Sequence, residues 1–172
     1  MNTWIALLRG INVGGHHIIR MKDLASLLEA DGFPGVRTYI QSGNVVLQSK
    51  ERPGARIAAL IERHYGFRPP VLVLSAGELR QAAARNPFDP EGGSKVHFYF
   101  CAPEPRSADI ELLESLKGPN EAYQLSGGVL YLYAPDGIGR SRLAEKIGKA
   151  LPGTDITARN LNTVNKLLEM SA

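Results

Sequence analysis

The residues best suited to bind a ligand lie in a glycine-rich loop and in a short polar turn. The loop reads Arg9-Gly10-Ile11-Asn12-Val13-Gly14-Gly15, and the turn reads Ser42-Gly43-Asn44. A cation, flexible glycines and a helix start at one edge of a fold form an anion site, because the first N–H groups of a helix carry partial positive charge. We therefore predict a site for a small phosphate- or carboxylate-bearing ligand, with candidate contacts Arg9, Asn12, Gly14, Gly15, Ser42, Gly43 and Asn44.

The loop does not match the familiar phosphate-binding motifs. It is not G-x-G-x-x-G, and no G-K-[ST] follows it. The chain also has no G-x-S-x-G and no H-E-x-x-H, so the sequence indicates no catalytic residue and no cofactor. A conformational role for the glycines stays open as an alternative, because long connections need residues that tolerate positive φ.

A second group of polar residues precedes the last two predicted helices. Gly139-Arg140-Ser141-Arg142 opens one helix, and the segment from Thr157 to Thr163 opens the other. Ser, Thr and Asn at such positions are typical N-caps, whereas arginines there oppose the helix dipole and need another explanation. We therefore add Arg140, Arg159 and Asn160 to the candidate ligand contacts.

Three other side-chain patterns suggest different chemistry. The pair His16-His17 has no Cys, Asp or Glu at ligand spacing nearby, so we expect no metal site. Cys101 ends an apolar strand and is expected to be buried. Aromatic residues alternate along two predicted strands, at Phe98 and Phe100 and at Tyr131 and Tyr133, which leaves a module that binds RNA or single-stranded DNA open as an alternative. A structural or interaction module without a small ligand also stays open.

Hydrophobic spacing predicts the elements that position these residues. An apolar run over Trp4 to Leu8 predicts a buried strand, and the spacing of Met21, Leu24 and Leu28 predicts a helix. Further strands are predicted over 36–41, 45–47, 71–74, 96–101, 123–125 and 129–133, and further helices over 54–65, 76–83, 110–116, 143–151 and 161–168. Ser75-Ala76-Gly77-Glu78 fits the capping box that starts a helix. Ile156-Thr157 is at most a vestigial strand.

The two halves of the chain repeat the same order of elements. Ser42-Gly43-Asn44 aligns with Ser126-Gly127-Gly128, and the flanking elements agree in type. We predict an α+β fold of two tandem ferredoxin-like βαββαβ units, in which helices back antiparallel sheets. Residues 1–85 would form the first unit, 86–94 a connecting loop and 95–172 the second unit. In this topology the end of the first strand, the start of the first helix and the 42–44 turn share one edge.

Composition is that of an ordinary globular protein. The chain has 172 residues, of which 44% are hydrophobic and 22% are charged, so we expect no disorder. A formal net charge of +3 is compatible with an anionic partner but does not require one. The single cysteine and the lack of a long apolar run predict a cytoplasmic protein with no membrane partner. The oligomeric state is not indicated.

Several of these segments occur together in one known family. The chain resembles the bacterial domain of unknown function 1697 (DUF1697) family in the segments Ala6-Leu7-Leu8-Arg9-Gly10-Ile11-Asn12-Val13-Gly14-Gly15, Thr38-Tyr39-Ile40-Gln41-Ser42-Gly43-Asn44-Val45, Asn86-Pro87-Phe88, Gly139-Arg140-Ser141 and Thr157-Ala158-Arg159-Asn160-Leu161-Asn162-Thr163-Val164. The resemblance implies a cytoplasmic bacterial protein with tandem ferredoxin-like halves, and it implies no activity. Its motif positions include all the candidate contacts named above.

Overall fold

The apolar run near the start of the chain forms the central strand β1 in the computed structural model, which describes residues 1–89 and 92–172. These residues divide into two units, residues 1–81 with 166–172 and residues 82–165. Each unit contains one four-stranded antiparallel sheet with α-helices, so the fold is α+β. The predicted connecting loop 86–94 includes Pro90 and Glu91, which lie outside the described residues.

The first sheet has the strand order β2-β3-β1-β4, and every neighbouring pair is antiparallel. The elements up to the end of the third helix are β1 (Asn2–Leu8), α1 (Met21–Ala30), β2 (Arg37–Tyr39), β3 (Asn44–Ser49), α2 (Gly54–Tyr65), β4 (Val71–Ser75) and α3 (Ala76–Ala84). The predicted strand and helix order of this part is confirmed.

The core of this unit lies between its sheet and helices α1 and α2. Trp4, Ala6 and Leu8 contribute one face of β1 to this core, and Ile5 and Leu7 on the other face are also fully buried. Burial on both faces explains why the β1 sequence is continuously apolar instead of alternating. The predicted capping box is confirmed, since the Ser75 N–H donates to Glu78 Oε2 at 2.7 Å and the Glu78 N–H donates to Ser75 Oγ at 3.0 Å.

The second sheet has the order β6-β7-β5-β8 and is also antiparallel. The later elements are β5 (Val96–Ala102), α4 (Ile110–Leu116), β6 (Ala122–Ser126), β7 (Val129–Tyr133), α5 (Arg142–Ala150), β8 (Asp155–Asn160) and α6 (Leu161–Met170). Helices α4 and α5 cover one face of this sheet over a core that includes Tyr99, Cys101 and Leu143. No helix formed by residues 1–89 or 92–172 has the length and hydrophobicity needed to cross a membrane.

The prediction of a vestigial strand at Ile156-Thr157 was wrong. Strand β8 has six residues and pairs with β5 from His97↔Asn160 to Ala102↔Asp155. It buries the polar side chains of Thr157 and Arg159 and exposes Ala158. Because this burial pattern inverts the usual alternation of apolar and polar residues, hydrophobicity alone could not identify the strand.

His97 is a buried polar residue near the start of strand β5. Only 9% of the residue is exposed, and in the part of the chain that the structure describes its Nε2 atom has no hydrogen-bond partner. Burial lowers the pKa of His97, and a hydrogen bond with the Ser94 backbone partly opposes that shift. The imidazole is therefore neutral in the folded protein at a pH where an exposed histidine already binds a proton.

We expect His97 to make the fold sensitive to acid. Below a pH of about 6.5, His97 binds a proton in the unfolded chain but stays neutral in the folded chain. The free energy of unfolding therefore falls by up to about 1.4 kcal/mol for each pH unit by which the pH is lowered. Urea denaturation at a series of pH values measures this for the wild type and for His97→Gln. The difference between the two curves should change below pH 6.5, and parallel curves would contradict the assignment.

Candidate functional site

The candidate site begins where β1 ends, because the backbone there is tied to two other segments. The Leu8 N–H donates to the Gly43 carbonyl at 2.8 Å, and the Arg9 N–H donates to the Pro70 carbonyl at 3.1 Å. These bonds fix the first residue of the loop 9–20 against the turn 40–43 and against the segment that leads into β4. The Arg9 side chain is exposed.

The side chain of Asn12 holds the rest of the loop in place. Its Oδ1 accepts the Ile19 N–H at 2.8 Å, and its Nδ2 donates to the Ile19 carbonyl at 2.9 Å and to the Gln41 carbonyl at 2.7 Å. Both Nδ2 protons are thereby used within the protein. Asn12 also has φ +55°, a left-handed conformation that asparagine tolerates better than most residues. Asn12 thus joins the two ends of the loop to each other and to the turn.

Gly14 and Gly15 form the exposed tip of this loop. The His16 N–H donates to the Val13 carbonyl at 3.0 Å, and Gly14 and Gly15 have φ values of +59° and +75°. Two central residues with positive φ are what a type I′ turn needs, so the glycines here serve the conformation. At this tip, therefore, Gly14 and Gly15 have the conformational role that the sequence left open as an alternative to ligand binding.

His17, one of the two histidines beside the tip, has contacts within the protein. The ring of His17 stacks on Phe67, with centroids 4.0 Å apart and planes 8° apart, and its Nδ1 lies 3.3 Å from the Gly10 carbonyl oxygen. Among residues 1–89 and 92–172, no three His, Cys, Asp or Glu side chains cluster in a way that could hold a metal ion. His17 therefore packs the loop against the chain that follows α2.

The turn 40–43 approaches β1 so closely that only glycine fits at position 43. Gly43 has φ +98°, and a Cβ atom there would lie 2.9 Å from Leu8 Cβ and 3.2 Å from the Leu8 carbonyl oxygen. The next residue, Asn44, is fully buried, and its Nδ2 donates to the Tyr39 carbonyl at 3.0 Å and to Ser42 Oγ at 3.1 Å. Gly43 and Asn44 therefore shape the turn from inside, while Ser42 is exposed.

Helix α1 begins at the end of this loop without a side-chain cap. Its N-cap residue is Arg20, whose side chain accepts no bond from the first turn, and Lys22 follows one residue into the helix. The first intrahelical bond to the cap runs from the Leu24 N–H to the Arg20 carbonyl at 3.0 Å. The N–H groups of Met21, Lys22 and Asp23 precede that bond, as in any helix start. Arg20 was absent from our predicted contacts, although two cations flanking a helix start are visible in the sequence.

The remaining predicted contacts belong to the unit formed by residues 82–165. Arg140 is exposed in a short 3₁₀ helix, Ile138–Arg140, and Ser141 caps α5 by accepting the Ala144 N–H at 3.1 Å. Asn160 caps α6 by accepting the Thr163 N–H at 3.0 Å. Ser141 and Asn160 therefore have the N-cap role that residues of their type favour.

Arg159 lies in strand β8, so our placement of it at the start of the last helix was wrong. The residue is 8% exposed, its Nη1 donates to the Ala158 carbonyl at 2.7 Å, and burial lowers its pKa to about 10. The guanidinium stays charged at neutral pH, since its pKa remains far above 7. The argument from the helix dipole that made Arg159 a candidate contact does not apply to a strand residue.

Cys101 and three of the four strand aromatics are buried, and the fourth, Tyr133, is half-buried and stacks on Phe88 with ring centroids 5.9 Å apart. Burial raises the pKa of the Cys101 thiol to about 11, so the reactive thiolate is scarce at neutral pH. Phe98, Phe100 and Tyr131 are at most 2% exposed, and their rings therefore offer no face on which a base could stack. The nucleic-acid alternative loses the observation from which it was inferred.

Comparisons with known proteins support this fold and indicate no activity. The sequence model described as "Protein of unknown function (DUF1697)" matches residues 1–131. The structure of a conserved bacterial protein from Streptococcus pneumoniae is similar to this one, with a TM-score of 0.71, 22% sequence identity and coverage of 99% of both chains. At that identity the likeness concerns the fold alone. No curated protein matches the chain.

The close approach of Gly43 to β1 can be tested with alanine substitutions at two glycines. Gly43→Ala adds a steric clash with Leu8 to the cost of positive φ, and we expect it to lower the free energy of unfolding by about 3 kcal/mol. Gly15→Ala is the matched control, because its φ is +75° but no heavy atom lies within 4 Å of the added Cβ. It should cost only about 1 kcal/mol. Equal losses in urea denaturation would contradict the steric account.

Proposed function

Because the chain belongs to the DUF1697 family of proteins of unknown function, we propose its function from its own geometry: it binds a small phosphate- or carboxylate-bearing ligand. The site is the edge formed by the loop 9–20 and the turn 40–43, at the start of α1. The observation that carries the proposal is that α1 starts at Arg20 without a side-chain cap and that two cations, Arg20 and Lys22, flank this start against one acid, Asp23. Both cations oppose the helix dipole, and a bound anion would reverse that unfavourable arrangement.

The binding groups in this proposal differ in part from those that the sequence suggested. The Arg20 guanidinium and the N–H groups of Met21 and Lys22 contact the anion, and the exposed Arg9 side chain contributes from the same loop. Asn12, Gly43 and Asn44 hold the loop and the turn in position and do not touch the ligand. Such a prearranged loop reduces the conformational entropy that binding would otherwise cost.

A second candidate function, an interaction module, is favoured by apolar side chains at the same edge. Val13, Ile18 and Ile40 are 66%, 59% and 49% exposed, and all three belong to the loop or the turn. Exposed apolar residues that lie together are typical of surfaces that bind another protein. In this alternative the edge binds a macromolecular partner and has no affinity for a small anion.

We also propose finer assignments for the fold and the location. The order of each sheet, with the first strand of its unit between the third and the fourth, supports a ferredoxin-like βαββαβ assignment for both units. The free, buried Cys101 supports a location in the bacterial cytoplasm, where thiols stay reduced.

A titration with inorganic phosphate at constant ionic strength tests the proposed site. In a ¹H–¹⁵N NMR spectrum the amides of Met21 and Lys22 should shift and saturate, and Arg20→Gln should weaken binding by about tenfold, because a hydrogen bond to a charged group contributes about 1.5–3 kcal/mol. Arg63→Gln, an exposed arginine on α2, is the control and should have no effect. The proposal fails if these amides do not shift or if both variants bind like the wild type.

A further inference from the structure

A cavity of about 310 Å³ lies at the other end of β1, away from the loop 9–20. It is bordered by the start of β1 and the end of β3, where Asn2 pairs with Ser49, and by the segment 50–53 that leads into α2. This volume is at the lower end of the range of about 300–1,000 Å³ that is usual for small-molecule sites. Residues 1–81 supply all of its lining, so the cavity belongs to one unit.

Arg52 borders this cavity in a fixed orientation. Its guanidinium lies 4.9 Å from the centroid of the Trp4 ring, its Nη1 donates to the Val73 carbonyl at 2.6 Å, and its Nη2 donates to Glu78 at 2.9 Å. The Trp4 Nε1–H in turn donates to the Ser49 carbonyl at 3.1 Å, which holds the ring. Arg52 is therefore immobilised before any ligand arrives.

Arg56 borders the same cavity and is held in a similar way. Its guanidinium lies 4.0 Å from the centroid of the Phe33 ring, its Nε donates to Asp31 Oδ2 at 2.7 Å, and its Nη2 donates to the Asp31 carbonyl. Within the described part of the chain, Nη1 of Arg56 has no hydrogen-bond partner. Two N–H bonds of a positioned guanidinium thus remain for an acceptor in the cavity.

The charge around the cavity favours an anion. The charged side chains that line it are Lys50, Arg52, Arg56 and Glu51, which gives three cations to one anion. The two acidic partners of the arginines, Asp31 and Glu78, each bind one guanidinium. Lys50 is exposed and forms no ion pair among residues 1–89 and 92–172. It therefore adds a positive charge outside any of these ion pairs, beside Glu51, the one acid in the lining.

The start of α2 adds to this positive potential. The helix begins at Gly54, and its N-cap residue Pro53 lines the cavity and has no side chain that could cap the first turn. The first intrahelical bond to Pro53 comes from the Ile57 N–H at 2.9 Å. The helix dipole is a secondary contribution here, because the side chains of Lys50 and Arg56 offer charged hydrogen-bond donors directly to an anion.

From the cavity, its two anchored arginines and its unpaired lysine, we propose a second binding site that takes a small phosphorylated molecule. The phosphate dianion bonds to Nη1 of Arg56 and to the ammonium of Lys50. The rest of the molecule lies along Met1 and Pro34, the exposed apolar part of the lining. A phosphate monoester fits better than free phosphate, since the cavity is larger than that ion and has an apolar wall. This site is independent of the one proposed above.

NMR titration with phenyl phosphate and with inorganic phosphate tests this second site. We expect saturable shifts of the amides of residues 50–56 and tighter binding of phenyl phosphate. Lys50→Gln should weaken phenyl phosphate binding about fivefold to tenfold, and Arg56→Lys should weaken it as well, because lysine keeps the charge but loses the fixed fork of N–H groups.

The control variant is Lys22→Gln, which lies at the start of α1. It should leave the shifts of residues 50–56 unchanged, so a failure of the first proposed site cannot be mistaken for a failure of this one. The proposal is overturned if residues 50–56 do not shift, if Lys50→Gln and Lys22→Gln reduce the affinity equally, or if inorganic phosphate binds as tightly as phenyl phosphate.

Discussion

The architecture of the candidate site depends on one hydrogen-bond network, in which the half-buried Asn12 side chain bonds to the N–H and the carbonyl of Ile19 and to the Gln41 carbonyl. A loop of this length with five positive φ values, at Gly10, Asn12, Gly14, Gly15 and His17, has little regular backbone pairing of its own. Local hydrogen bonds from Asn are a common substitute for such pairing. These three bonds, together with the burial of Ile11 and Ile19 in the core, hold the start of α1 next to the turn 40–43.

Polar side chains are held in position at both ends of β1, but by different kinds of contact. At its end, backbone carbonyls and the amides of Asn12 and Asn44 satisfy one another, and Gly43 allows the close approach that this needs. At its start, arginines stack on aromatic rings and bond to acids and carbonyls. At the end of β1, the side-chain amides of Asn12 and Asn44 donate their hydrogen bonds to groups within the protein. The contacts at its start leave guanidinium N–H bonds and a lysine available to a ligand.

The sequence predicted most of the fold because its signals were local. Amphipathic spacing located α1 and α2, and the S-x-x-E pattern located the start of α3. Strand β8 was not predicted at its full length because it buries Thr157 and Arg159. The burial of a charged residue depends on tertiary packing, which a local sequence pattern does not indicate.

For the site, the sequence indicated the correct segments but not the division of roles within them. Gly43 and Asn44 were predicted as ligand contacts because one is flexible and the other is polar. In the structure their contacts described above are with other residues of the protein. In the sequence, an asparagine whose side chain stabilises a turn cannot be distinguished from one whose side chain binds a ligand. Only the positions of the acceptors, such as the Tyr39 carbonyl for Asn44, distinguish the two.

The most direct test of this account is amide hydrogen exchange at Ile19 in the wild type and in Asn12→Asp. The carboxylate keeps the acceptor for the Ile19 N–H but loses both donors and faces two carbonyl oxygens. We predict that Ile19 exchanges at least about tenfold faster in the variant, relative to Ala6 in the middle of β1, because two hydrogen bonds of about 1 kcal/mol each are lost. An unchanged ratio of the Ile19 and Ala6 rates would contradict the claim that Asn12 holds the loop.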